Sequence, residues 1–324
     1  MLRRLRYILS SGKNPKALYY IRSYIRWWLP RSLTLARRGS LLKRLATHPD
    51  AEYMAERIEY YNHMPVGGLP SEATPLAGHR PNRQKVYFFD THEFLRYFPK
   101  HLRWLFLPGD IIHVPEAPSI VKSRPLVADN ANSVVMKLDK VRHFIFVRDH
   151  KRWRDKRDQA IFRGKVSGKD SRIRFMQMYH GHPMCDAADV SRNSPNPAWR
   201  REKMSIEAHL DYKFIMALEG NDVASNLKWV MSSQSIAVMP RPTCETWFME
   251  GQLIPNYHYI EISPDLSDLE ECLRYYLEHP DEAEAIIRHA NEYVRQFRDE
   301  ERERLIALGV LQRYFERTGQ IEKI

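Results

Sequence analysis

Cysteine is scarce in this chain: three in 324 residues, at positions 185, 244 and 272, with no two in a CxxC spacing. An odd, scattered set excludes a disulfide framework or a zinc ribbon and fits a reducing compartment. No apolar run approaches the roughly 18 residues that a membrane-spanning helix needs. The basic N-terminus leads into an apolar stretch too short and too interrupted for a secretory signal, so a cytoplasmic location is expected. HExxH, GxSxG, Walker A and GxGxxG are all missing, as is a clustered Cys/His ligand set. That removes the zinc-peptidase, serine-hydrolase and P-loop classes and leaves no motif for a bound metal. No pair of aspartates flanks a strand in the way that holds a nucleotide-bound divalent ion, and His180 with His182 reads as a pair of surface histidines. No internal repeat with a period of about 20–50 residues is present.

What is present is a large apolar share, 43%, and a formal net charge of +11. The first supports a sizeable core over two domains; the second asks for an anionic partner, whether nucleic acid, membrane or a phosphate-bearing substrate. The charge of residues 1–47 is almost wholly positive. Within them Leu18, Ile21, Ile25 and Trp28 recur at helical spacing up to Pro30, with Arg22 and Arg26 on another face. That pattern fits either contact with an anionic membrane surface, on the inner face of the cytoplasmic membrane, or a helix packed on the domain with a solvated basic face.

Residues 64–84 are rich in Pro and Gly and read as a loop. Strands are expected at Lys85–Thr91, Asp110–Val114 and His143–Arg148, with helices around Glu93–Leu105 and Asn132–Lys140. A charge block at 149–158 marks a linker or domain edge. Beyond it, strands are expected ending at Ala160–Phe162 and at Tyr212–Leu218, Ser235–Met239 and Tyr259–Ile262, with a helix at Ala224–Met231. Three helices close the chain, the second carrying the apolar stripe Ala283, Ile286, Ile287, Ala290, Val294 and Phe297. Strands alternating with helices predict an α/β protein with parallel sheets.

Four segments could carry chemistry. Phe162–Arg174 (FRGKVSGKDSRIR) runs from a strand end into a loop holding Gly164, Gly168 and five cations, Arg163, Lys165, Lys169, Arg172 and Arg174. Such a loop suits phosphate oxygens, although a solvated basic loop has the same composition. Leu218–Trp229 (LEGNDVASNLKW) places Glu219 before a turn and Ser225 and Lys228 in the first turns of a helix, whose end can hold a phosphate or be capped by Asn221 or Asp222. Glu245 follows a strand and could bind a ribose or begin a helix. Glu116, in a loop stiffened by Pro115 and Pro118, could act as a general base, with Asp110 and Asp129 as rivals.

These residues resemble glycosyltransferase family 90. The likeness rests on FRG at Phe162–Gly164 with Arg172 downstream, YKFIMALEGNDVASNLKWVMSSQSIAVMP, and the run from Glu245 through LIPNYHYIEISPDLSDL. IVKSRP at Ile120–Pro125 and NANSVVMKLDKVRHF at Asn130–Phe144 are similar to its bacterial lipopolysaccharide-core branch. Capsule-associated xylosyltransferases and protein O-glucosyltransferases are related members. The resemblance implies a GT-B fold, two Rossmann-like domains facing across a cleft, with closing C-terminal helices. Applied to this chain, that gives a basic N-terminal segment at 1–47, an acceptor-side domain at 48–155, a nucleotide-sugar-binding domain at 156–298 and a final helix at 299–324. It implies an inverting transferase using a UDP-sugar and no metal or other cofactor, with a glycan or lipid-linked glycan acceptor, lipopolysaccharide core above all.

By the same resemblance Arg163, Gly164, Arg172 and Ser225 would meet the diphosphate, and Lys165, a cation of the same loop, is counted with the donor-binding residues. Lys228 stands close to where animal members carry arginine, and Glu219 and Glu245 would serve the nucleoside. The family's base lies in a V-x-D-x-P motif; Val114–Pro118 reads VPEAP and puts Glu116 there. Two readings from other classes compete: a nucleic-acid-binding protein using the N-terminal arm and the cations of 148–174, and a non-enzymatic membrane-surface protein. No RRM, helix-turn-helix or zinc motif supports the first.

Overall fold

The computed structural model describes residues 12–81 and 83–322. The opening of the basic segment, residues 1–11, and the last two residues of the expected C-terminal segment lie outside the described residues. The chain divides into two units, an α/β class protein in which parallel sheets occur in both.

One unit comprises Arg142–Pro242 and Gly251–Gln296 together with the residues up to Asn14. Its centre is a five-stranded sheet of Arg157–Gly164, Cys185–Asp189, Tyr212–Met216, Ile236–Met239 and Ile260–Glu261, all pairs parallel. Numbered by sequence, the spatial order is 2-1-3-4-5, that of a doubly wound sheet whose ligand crevice lies at the carboxyl ends of strands 1 and 3. YKFIM and IAVM are buried along their whole length, as interior parallel strands covered on both faces must be. Helix Pro280–Arg295 has Pro at its first position, Asp281 and Glu282 in its first turn and Arg295 in its last, in line with the helix dipole. Its stripe Ala283, Ile286, Ile287, Ala290 and Val294 is buried.

The other unit comprises Pro15–Val141, Thr243–Glu250 and Phe297 onward. It holds helices Lys16–Trp28, Arg38–Ala46, Ala51–Tyr61, Lys85–Leu95 and Glu300–Arg317. A three-stranded parallel sheet has the order Phe106–Leu107, Ser119–Val121, Ser133–Val135. Cys244–Thr246 pairs antiparallel with Ser123–Pro125. Helix Glu300–Arg317 is capped by Asp299, which accepts from the amides of Glu301 and Arg302. Gly309 on that helix leaves no room for a side chain against Ile58 and Leu45.

A buried charge cluster ties this unit together. Glu303 accepts from Lys137 Nζ at 2.9 Å, from Trp247 Nε1 at 2.6 Å and from Arg57. Burial pushes its carboxyl up, but Lys137 and Arg57 outweigh it and hold the group below the usual range. Trp247 is stacked on Tyr61 with ring centroids 3.9 Å apart. Glu303→Ala would take a carboxylate partner from Arg57 and Lys137 and the acceptor from the Trp247 indole N–H. The expected loss is about 3–5 kcal/mol of unfolding free energy, read from urea titration; a loss below about 1 kcal/mol would mean that water reaches the cluster.

Several expected elements differ. Lys85–Thr91 is the start of a helix, not a strand: Tyr87, Phe88, Phe89, Phe94 and Leu95 are buried around nearly its whole circumference, so no helical period shows in the sequence. The expected helix from Glu93 to Leu105 stops at Leu95, and short strands occupy Arg103–Trp104 and Phe106–Leu107. Asn132–Lys140 yields strand Ser133–Val135 instead of a helix, consistent with its β-branched pair. Asp110–Val114 is irregular, and of His143–Arg148 the first residue ends the short helix Lys140–His143 and the rest is irregular. Side chains satisfy part of their backbone: Ile111 N–H donates to Ser123 Oγ at 3.1 Å and Val147 N–H to Ser232 Oγ at 2.9 Å. Strand Cys185–Asp189 was not expected at all, since CDAAD has almost no β-branched or aromatic residue.

Candidate functional site

The carboxyl ends of the first and third strands of the five-stranded sheet meet at Arg172. This residue lies in the first turn of helix Asp170–Tyr179 and reaches back under both strand ends. Its Nε donates to the Glu219 carbonyl at 2.9 Å, Nη2 to the Leu218 carbonyl at 2.7 Å and Nη1 to the Lys165 carbonyl at 2.9 Å. The guanidinium also stands 5.9 Å from the centre of the Phe162 ring. No carboxylate of the described residues pairs with it. Burial alone depresses its pKa, to about 10. The side chain is half-buried, so water and the three carbonyl dipoles together solvate a charge that no described anion balances.

Two glycines border this side chain. A methyl carbon on Gly164 would lie 2.6 Å from Phe162 Cζ and 3.4 Å from Arg172 Nη1, and one on Gly220 would lie 3.3 Å from Arg172 Nη2. At Gly164 the Phe162 ring leaves no room for a Cβ and Arg172 stands at ordinary contact distance, while at Gly220 the near neighbour is the Arg172 guanidinium. Around them, Lys165 and Ser225 are exposed and their side chains hydrogen-bond to no described residue. Lys169 Nζ bonds to Asn221 Oδ1, linking the two loops. Gly164, Lys165, Arg172 and Glu219 are thus brought together.

The remaining expected residues are placed otherwise. Arg163 turns back along the sheet, donating to the Asp186 carbonyl at 2.7 Å and Asp186 Oδ1 at 2.6 Å. Tyr212 donates to the other oxygen of Asp186 at 2.5 Å. Burial tends to raise the Asp186 pKa, but bonds from Tyr212 and Arg163 lower it overall. Lys228 is fully buried in helix Leu227–Met231, with its ammonium 5.8 Å from the Phe144 ring. The expected helix from Ala224 begins only at Leu227 and has five residues, too short to offer the N-terminal phosphate site its sequence suggested.

Glu245 belongs to the other unit. There it lies in strand Cys244–Thr246, opposite Arg124, and is 1% exposed. Its Oε1 accepts from Arg124 Nε at 2.7 Å and its Oε2 from the Tyr60 hydroxyl. Glu116 is in that unit too, in the loop entering strand Ser119–Val121 rather than leaving a strand at 110–114. Asn132 Nδ2 donates to the carbonyls of Pro115 and Glu116, both at 3.0 Å, and the Tyr314 hydroxyl to that of Pro118 at 2.9 Å. The backbone is pinned while the Glu116 carboxylate is exposed and bonded to no described residue. Its rivals differ: Asp110 is paired with buried Lys122, and exposed Asp129 bonds the Ala131 amide at 3.3 Å.

Asp189 escaped the sequence reading. Fully buried at the end of its strand, it accepts from the amides of Ser191 at 2.7 Å and Val166 at 3.2 Å, which shapes the loop after Gly164. The only hint was an acid closing a small-residue run, in a strand the composition did not reveal. Among the described residues no group of three or more His, Cys, Asp or Glu side chains could hold a metal ion. His182 instead bonds Glu270 at 3.1 Å.

A doubly wound parallel sheet, with Arg172 at the strand ends where such sheets hold ligands, is an architecture that many classes of enzyme share. The sequence identifies which: the chain belongs to glycosyl transferase family 90, whose model matches residues 132–316. It is therefore a glycosyltransferase, a protein that moves a sugar from a donor to an acceptor. It is 39% identical to O-glucosyltransferase LpsA of Dichelobacter nodosus over 305 residues, 93% of this chain and 95% of that one. It is 27% identical over 169 residues to an uncharacterized protein of Frog virus 3, covering 41% of this chain and 17% of that one. With protein O-glucosyltransferase 3 of Homo sapiens it shares 25% identity over 171 residues, 51% of this chain and 33% of the human protein.

Proposed function

We propose that the chain is an inverting, metal-independent glycosyltransferase that uses a UDP-sugar and glycosylates an envelope glycan, lipopolysaccharide core being the acceptor class. In this reading the two units work as the two halves of a GT-B enzyme. The observation that carries it is Arg172: a half-buried positive charge with no counter-anion among the described residues, at the switch point of a parallel sheet, where a diphosphate would supply a negative charge. In this reading Lys165 and Ser225 extend the same anion site and Glu219 accepts from a ribose hydroxyl. Arg163 acts through Asp186, holding the strand that leads to Gly164. Lys228 and Glu245, both buried, each support the fold of their own unit rather than touch the donor.

Charge grows on the diphosphate as the sugar–oxygen bond breaks. Fixed cations placed where that charge develops stabilise the transition state without reorganising. Glu116 takes the proton of the acceptor hydroxyl, which attacks the anomeric carbon from the face opposite the leaving UDP, so the configuration inverts. Two relatives are named O-glucosyltransferases, which favours glucose as the sugar.

The test is a thermal shift with UDP followed by transfer assays over UDP-glucose, UDP-galactose, UDP-xylose and UDP-GlcNAc, in EDTA, with envelope extract as acceptor. UDP at about 100 times its dissociation constant is expected to add about 2.7 kcal/mol, several degrees in melting temperature. Transfer should persist in EDTA and be greatest with UDP-glucose. No shift with UDP, together with salt-sensitive retention on DNA, would move the protein to the nucleic-acid class.

A further inference from the structure

Helix Lys16–Trp28 is amphipathic, yet its apolar stripe faces outward. Leu18, Ile21, Ile25 and Trp28, at spacings of three, four and three, lie on one side and are 44%, 58%, 53% and 76% exposed. Leu29 and Leu33 prolong the patch past Pro30. A contiguous cluster of this kind is unusual on a protein surface that meets only water.

The orientation is fixed rather than accidental. The opposite side of the helix is seated on helix Lys85–Leu95: Tyr24 and Phe89 have ring centroids 4.8 Å apart, Trp27 and Phe88 5.9 Å, and the Tyr19 hydroxyl donates to Asp90 Oδ1 at 2.8 Å. Two arginines lock the helix end. Arg96 donates to the carbonyls of Arg26 at 2.5 Å and Leu29 at 3.1 Å, while Arg31 donates to those of Leu95 at 2.7 Å and Phe98 at 3.1 Å. Rotating the stripe inward would break all four bonds and unseat the aromatic face.

Charge identifies what covers the stripe. Residues 1–49 hold no Asp or Glu while Lys and Arg recur throughout, and Lys16 and Arg22 on the same helix and Arg37 beyond it are exposed. A second copy of this chain would bring the same cations against themselves and be repelled. An anionic bilayer offers both complements at once: acyl chains for Ile21, Ile25 and Trp28, and headgroup phosphates for the arginines. We infer that this face docks in the plane of an anionic phospholipid surface, with the helix lying in the headgroup layer. No described helix is long and apolar enough to cross a membrane, so the attachment is to one leaflet. None of the residues assigned to sugar transfer takes part.

The experiment is co-sedimentation of the full chain with phosphatidylcholine vesicles, with and without phosphatidylglycerol, in low and high salt. Binding to the anionic vesicles should exceed that to neutral ones by about tenfold or more and weaken as salt screens the cations. The double variant Ile21→Glu/Ile25→Glu should reduce vesicle binding at least about tenfold, keep the wild-type melting temperature and keep the UDP shift. Equal sedimentation of variant and wild type overturns the inference. So does a wild-type dimer in size-exclusion chromatography that the double variant converts to monomer, which would assign the stripe to self-association.

Discussion

Arg172→Lys is expected to lower kcat/KM by about 10²–10³-fold and to abolish most of the stabilisation by UDP, while leaving a folded protein. The reason lies in donor geometry. A guanidinium carries five N–H groups in a rigid fork. Three are committed, Nε to Glu219 and one each from Nη1 and Nη2 to Lys165 and Leu218. That leaves one N–H on each terminal nitrogen, a pair whose spacing suits two oxygens of one phosphate. Lysine keeps the charge but has three donors on a single atom, so it cannot hold three diverging carbonyls and a phosphate together. Loss of the carbonyl bonds should reduce stability by about 1–3 kcal/mol. The readout that separates the roles is the UDP shift measured relative to each variant's own baseline. If Arg172→Lys loses stability yet keeps the full shift, the arginine is a strap between two strand ends and the anion site lies elsewhere.

The sheet around Arg172 was largely legible in the sequence, and the other unit was not. Strands such as YKFIM and IAVM are interior parallel strands, whose continuous apolar character shows directly. In the other unit, the strands span two or three residues, too short to impose a period, and KVYFFDT is helical because packing on nearly every side overrides its β-forming composition. The site divides in the same way. Glycine, cation and strand end in FRGKVSGKDSRIR pointed to an anion loop, and Gly164, Lys165 and Arg172 do come together. Composition could not tell that Arg163 turns to Asp186, or that Glu245 is paired with Arg124, because both depend on partners distant in sequence. The partner of Arg163 sits on a strand made of Cys, Asp and Ala, and that of Glu245 on a three-residue antiparallel pair.

Glu116→Gln should lower kcat by about 10²–10⁴-fold with the UDP shift unchanged, since the amide keeps the shape of the side chain but cannot take a proton. Glu116→Asp restores the residue type of the V-x-D-x-P motif and should retain most activity. The neighbouring acids serve as controls because their surroundings differ. Asp110→Asn removes a carboxylate partner of Lys122, which is 1% exposed, so its effect belongs in stability, about 1–3 kcal/mol, with the rate per folded molecule little changed. Asp129→Asn alters an exposed turn and should do little to either quantity. A general base differs from a structural acid in one respect: its removal slows turnover without loosening the fold or the donor. The loop's backbone is held by Asn132 and Tyr314 independently of the Glu116 carboxylate. A fall in melting temperature on Glu116→Gln would therefore be unexpected. Near-wild-type turnover in that variant, with a large loss in Asp129→Asn, would transfer the role of base to Asp129.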